Sequence, residues 1–160
     1  MKYLLAHDLG TSGDKVALFQ EDGKMLDSVI TPYETFYGDD GVREQDPNDW
    51  WRAVCEGTRQ LMKQIDPKDV AAISFGGMGH CCTCLDEQGN FLDRSILWSD
   101  VRSYREQAEL EKLIGAKRCY ETTGHKPSSS YTITKMMWMK KHKPEIYNKT
   151  YKVLTAKDVI

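Results

Sequence analysis

The 160-residue sequence has no uninterrupted apolar run near the ~18 residues of a membrane-spanning helix. No membrane partner is therefore expected. A basic excess is also missing: 22 Lys and Arg stand against 24 Asp and Glu, a formal charge of −2. Nothing in that balance neutralises a row of phosphates, so no nucleic-acid partner is expected. The first apolar stretch stops at His7-Asp8, too short for the core of a secretory leader. The five cysteines are odd in number and lack a pair of C-x-x-C motifs. That excludes a disulfide framework or a paired zinc site and predicts a reduced, cytoplasmic protein. In "HCCTC" three thiols crowd together, but on a strand Cys82 and Cys84 share one face and Cys81 takes the other. Small buried core thiols are the favoured reading over soft-metal ligands. Neither G-x-x-x-x-G-K-[ST] nor G-x-G-x-x-G is present, since "FGGMGH" fits neither.

What is present is ordinary globular composition, 40% apolar and enough for a core. Residues 2–8, 14–20 and 24–31 read as strands, with Asp22-Gly23 as a hairpin signal, so an antiparallel three-strand meander opens the fold. The stretch "PYETFYGDDGVREQDP" reads as a long polar loop of functional length. A helix follows, with Asp46 as N-cap, Pro47 at its first position and Asp49 at its positive end. Trp51, Val54, Thr58, Leu61 and Ile65 recur at helical spacing and predict its buried face. "VAAISF" at 70–75 predicts a strand covered on both faces. "CCTCLDEQGNFL" reads as strand, turn and strand, and "SILWSD" as a short strand. Helices are predicted at about 101–114, 116–122 and 132–142, and a strand at 151–155. This order is α/β, but not a plain doubly wound fold. The ending "TAKDVI" has no polar tail and reads as falling inside a domain.

"DLGTSGDK" is the segment with the clearest chemistry. Gly10 and Gly13 let the backbone turn tightly or approach a ligand closely. Successive N–H groups in such a turn can form an anion-binding nest. Thr11 and Ser12 add hydroxyl donors, and Lys15 lies just beyond. A bare Asp8 would repel phosphates there, unless it holds Mg²⁺ directly or through water. The plain alternative is a hairpin that Asp8 caps.

That hairpin, followed by a second turn at Asp22-Gly23, resembles the first phosphate motif of the sugar-kinase, Hsp70 and actin superfamily. "EQDPNDWW", "ISFGGMGHCCTCLDEQG", "LWSDVRS", "TTGHKPSSSYTITKMMWM" and "YKVLTAKDVI" then fall in the order and spacing of the FGGY carbohydrate kinases. They look most like the xylulokinase branch, and the resemblance covers essentially the whole chain. It implies an α/β, ribonuclease H-like (actin-like ATPase) domain with the meander, a mixed sheet and flanking helices. It also implies a second, similar domain, absent here, with ATP in the cleft between the two. Residues 1–160 would then be an N-terminal sugar-kinase domain truncated at its C-terminal end.

By the same resemblance the cofactors are ATP and Mg²⁺, and the substrate is a ketopentose-like sugar. Asp8 would organise the metal, and Gly10, Thr11, Ser12 and Lys15 would hold phosphate. Gly79, His80 and Asp100 would border the sugar, and the general base would lie downstream of these residues. A homodimer is the one protein assembly left open. The match departs at Met78-Gly79-His80-Cys81, where xylulokinases usually carry Gln-Met-His-Gly. His80 is kept, while Gly79 replaces Met and leaves room in the pocket. Each residue has a plainer reading too. His80 can be a satisfied core histidine. Asp100 can cap the next helix beside a solvated Arg102. Trp50-Trp51 and the Met136–Met139 stripe read as core, and Glu44 and Gln45 stand just before a helix cap. Two other functions compete with the kinase. One is an inactive sugar- or nucleotide-binding fragment. The other is a non-sugar member of the superfamily, which would lack the "EQDPNDWW", "MGHCC" and "LWSDVR" blocks.

Overall fold

The computed structural model describes residues 1–160. In chain order the strands are β1 (Tyr3–Leu9), β2 (Gly13–Gln20), β3 (Met25–Pro32), β4 (Phe36–Tyr37), β5 (Arg43–Gln45), β6 (Val70–Gly77), β7 (Thr83–Leu85), β8 (Ser95–Ile96) and β9 (Lys152–Leu154). The helices are α1 (Pro47–Leu61), α2 (Tyr104–Ile114), α3 (Ala116–Thr123), α4 (Thr132–His142) and α5 (Pro144–Lys149). None is long and apolar enough to cross a membrane. The chain forms two compact units.

The first unit is Met1–Thr35, Asp46–Met78 and Ala156–Ile160. Its sheet has the order β3-β2-β1-β6, antiparallel in the opening meander and parallel between β1 and β6. The meander follows from period-two patterning: Leu5, His7 and Leu9 point inward while Ala6 and Asp8 point out. Between β2 and β3 the chain reverses at Gly23, whose φ of +89° suits glycine. Helix α1 starts as its sequence predicts: the Asp46 side chain accepts from Asn48 N–H, and Pro47 sits at the first turn. Leu5, Val16, Leu18 and Leu61 form the core, with Tyr3, Val29, Met62, Ile65 and Val70 packed around them.

Two expectations are corrected in this unit. The inward face of α1 is Trp50, Ala53, Val54, Gly57 and Leu61, and Trp51 is 55% exposed. Adjacent tryptophans differ by one helical step, and only docking on the sheet selects which one turns in. The run at 70–75 is not covered on both faces: β6 is an edge strand paired with β1 alone, and Ile73 is 51% exposed. An apolar run suits β pairing, but it does not specify what covers the strand.

The second unit is Phe36–Gln45 with Gly79–Thr155. It holds a three-stranded sheet, β4-β5-β8, and a two-stranded one, β7-β9. The stretch expected to be a long polar loop of functional length supplies β4 and β5. The hairpin expected over 81–92 is reduced to a Leu85–Phe91 bridge around the Asp86–Asn90 turn. The ladder partner of β7 is the distant β9. Helices α2, α3 and α4 lie close to their predicted spans, while α5, opening on Pro144, was not anticipated. A core of Cys82, Cys84, Ile96 and Met139 joins β7, β8 and α4.

Candidate functional site

The turn between β1 and β2 is closed from within. Gly10 N–H donates to Gly13 O at 3.0 Å and lies 2.9 Å from Asp8 O. A Cβ at Gly13 would stand 2.7 Å from Thr31 O, so the backbone of β3 leaves no room for a side chain. Tyr33 braces the turn from outside the hairpin: its hydroxyl donates to Gly10 O, and its N–H donates to Ser12 O at 3.4 Å. Gly10 therefore acts through shape, and the exposed residues of the turn are Thr11 and Ser12. Asp8 and Lys15 are register partners across β1 and β2, and both are exposed. Directly opposite residues share a face, so an acid and a base stand together at the mouth of the turn.

Beneath them lies a pair that the sequence reading missed. His7 Nδ1 is 2.7 Å from Asp14 Oδ2, and both side chains are buried. His7 Nε2 is 3.2 Å from Thr58 Oγ1, and the ring stacks on Phe75 at 5.0 Å. The period-two alternation of β1 was the available signal, because it turns His7 inward with Leu5 and Leu9. No group of three or more His, Cys, Asp or Glu side chains gathers as metal ligands. An exposed carboxylate beside a tight turn with two exposed hydroxyls nevertheless fits Mg²⁺, which is commonly held by one or two carboxylates together with phosphates and water.

In the second unit, Gly79 and His80 are exposed. A Cβ at Gly79 meets nothing within 4 Å, so the position is open. His80 has φ +56°, a left-handed backbone that non-glycine residues seldom adopt. Its ring meets Tyr131 edge-on at 4.6 Å, and Tyr131 also faces His125 at 5.4 Å. The three rings line a mostly apolar cavity of about 270 Å³ with Thr123, Pro127 and Ile133. His80 is thus not a core histidine. Its strained backbone presents an imidazole with one donor and one acceptor to an open cavity.

Asp100 sits differently. It is fully buried. Its carboxylate accepts from Arg43 N–H at 2.7 Å, from Arg102 N–H and Nε at 3.0 Å, and from Arg102 Nη2 at 2.7 Å. Arg102 also pairs with Glu44 at 2.8 Å and lies over the Trp138 ring at 4.9 Å. Burial opposes the guanidinium charge, but Asp100 and Glu44 outweigh it and raise the Arg102 pKa. Ser103, not Asp100, precedes α2, and Arg102 is only 9% exposed. The reading of Asp100 as a cap beside a solvated arginine is therefore set aside. The nearby Lys135 is fully buried, and its ammonium donates to Ser129 O at 3.0 Å and to Ser130 O. Burial pushes its pKa down to about 8, against the pull of Asp100. Within "ITKMMWM" nothing local marked this lysine as an inward one.

The model of the FGGY family of carbohydrate kinases, N-terminal domain, matches residues 3–160. The xylulose kinase of Staphylococcus xylosus is 30% identical over all of this chain, which corresponds to 33% of that protein. The crystal structure of a xyloylose kinase from Brucella ovis superposes with a TM-score of 0.90 at 31% identity, over 98% of this chain and 32% of that one. A gluconate kinase from Lactobacillus acidophilus gives 0.92 at 29% identity, over 99% and 32%. The chain spans about a third of the length of the curated relatives it matches. These likenesses carry the fold, the ribonuclease H-like α/β architecture of the actin-like ATPases, with its meander, mixed sheet and flanking helices.

Proposed function

The chain belongs to the FGGY family of carbohydrate kinases, and on that premise we propose that residues 1–160 form an N-terminal portion of an ATP-dependent sugar kinase. The reaction is transfer of the γ-phosphoryl of ATP to a hydroxyl of a ketopentose-like sugar, in a reducing, cytoplasmic compartment. The observation that carries this reading is the Asp8–Lys15 turn, where exposed hydroxyls and an exposed acid–base pair surround a backbone that admits no side chain at Gly13. In this site Thr11 and Ser12 donate to phosphate oxygens, and the Lys15 ammonium offsets their charge. Gly10 keeps the turn tight. Asp8 holds Mg²⁺, which neutralises charge on the transferring group when bound. No residue of 1–160 is assigned as the general base.

On the sugar side, His80 offers donor and acceptor to one hydroxyl, and Gly79 leaves the space beside it open. Asp100 is a positioning residue, since its carboxylate is already saturated by Arg43 and Arg102. A broader range of open-chain substrates, sugar acids included, is the second reading. The open Gly79 position and the likeness to the Lactobacillus gluconate kinase favour it.

The test is coupled ADP release by the full-length protein with xylulose, related ketoses, polyols and gluconate. Sugar-dependent turnover with at least one of these is expected, and its absence across the panel would overturn the proposal. Asp8→Asn should lower kcat with little change in sugar KM, because its role lies with the transferring phosphoryl. His80→Ala should raise sugar KM or lower kcat/KM by ~10- to 100-fold, the loss of a paired hydroxyl worth about 1–3 kcal/mol. The KM for ATP should stay nearly unchanged. A fall in Tm with intact sugar kinetics would remove His80 from the site.

A further inference from the structure

The core of the second unit gathers four sulfur atoms in mutual contact. Cys82 and Cys84 lie at i and i+2 on or beside β7 and share one face. Met136 and Met139 lie at i and i+3 on α4 and share one face of that helix. The Cys82 sulfur is 4.0 Å from that of Cys84, 3.5 Å from Met136 Sδ and 3.7 Å from Met139 Sδ. Cys84 Sγ is 3.6 Å from Met139 Sδ. Four sulfurs bound at about 2.3 Å to one tetrahedral ion would stand about 3.8 Å apart. Four of the six edges of such a tetrahedron are therefore already near length. Cys82, Cys84 and Met139 are buried, and Ile96, Leu92, Trp138, Ile146 and Val153 surround them.

We infer that Cys82, Cys84, Met136 and Met139 form a binding site for one soft monovalent cation, Cu(I). Two thiols and two thioethers are ligands of that softness class, and a mostly apolar shell disfavours hard, oxygen-seeking ions. Binding forms two copper–thiolate and two copper–thioether bonds and releases one proton from each cysteine, with no change of oxidation state. Two thiolates and one Cu⁺ leave a single negative charge. The Lys135 ammonium, which acts on Cys82, is placed to offset it, while Lys143 near Cys84 is already paired with Asp93.

The experiment is anaerobic titration of the full-length protein with Cu(I) in competition with a chromophoric Cu(I) chelator, with Ag(I) as a redox-inert parallel. One equivalent should be retained in an all-sulfur shell by X-ray absorption. Cys55→Ser/Cys119→Ser should keep that equivalent, because these thiols stand apart from the core. Cys84→Ser should weaken binding by more than about 100-fold, beyond what loss of an outer-shell partner causes. Met139→Leu, close to volume-neutral, should weaken it by about tenfold or more and keeps the question open to test if Cys84→Ser fails to fold. Retention of no metal against the chelator, or a bound equivalent unchanged in both Cys84→Ser and Met139→Leu, would overturn the inference.

Discussion

The turn at Asp8–Lys15 and the corner at Asp100–Arg102 both set an acid against a base, yet they use charge in opposite ways. At the turn the two groups are cross-strand neighbours exposed to solvent. An exposed pair contributes only ~0–1 kcal/mol to stability, so its charges remain for a ligand to use. At the corner the carboxylate is fully buried and its hydrogen-bonding capacity is taken up by two arginines. Such a group can hold a backbone in place, but it has little left to offer a substrate. Under the proposed function the difference separates a contact residue from a positioning residue, although Asp8 and Asp100 look alike as letters in the sequence.

The largest effect should come from breaking the buried corner. Asp100→Ala leaves Arg102 buried with Glu44 as its remaining acid and should remove about 3–5 kcal/mol of unfolding free energy. Urea denaturation measures this, and a loss below about 1 kcal/mol would make the corner no more structural than the turn. Next is Gly13→Ala, which forces a Cβ against Thr31 O and should cost about 1–3 kcal/mol by overpacking. An unchanged Tm would show that β3 yields easily and that the turn is less rigid than its contacts imply. Tyr33→Phe deletes one hydrogen bond to Gly10 O and should cost ~0.5–1.5 kcal/mol.

A pH-dependent effect concerns Lys135. Its pKa falls from 10.5 unfolded to about 8 folded, so between those values the unfolded chain binds more protons. Its contribution to stability should therefore rise with pH across that window, and the burial penalty should be constant below it. Comparing Tm against pH for wild type and Lys135→Met isolates this slope, and parallel curves would refute it. The smallest effect on stability is expected from Asp8→Asn, within about 0.5 kcal/mol. A larger loss would make the Asp8 carboxylate a structural cap, and the contrast between the two pairs would fail.

The sequence was informative where structure depends on neighbours. The meander could be read because strand alternation and the Asp22-Gly23 turn act over a few residues. The start of α1 could be read because Asp46 and Pro47 satisfy backbone groups within one turn. Gly10, Thr11, Ser12 and Asp8 could be singled out for the same reason, as could the open position left by Gly79. The His7–Asp14 pair was missed although β1 alternation held its signal. The saturation of Asp100 was missed because one of its arginines, Arg43, comes from a segment that read as loop.

By itself the sequence determined the α/β class, the opening meander, the capped helix and the tight glycine-bearing turn between β1 and β2, since each rests on local backbone geometry and short spacing. Only the tertiary structure decided that Trp50 rather than Trp51 turns inward, that β6 lies at an edge, and that β7 pairs with β9. It also decided that Glu44 reaches Arg102 and that the sulfurs of Cys82 and Cys84 meet those of α4. These contacts join residues far apart in the chain, and spacing within a segment carries no information about which distant segment will pack against it.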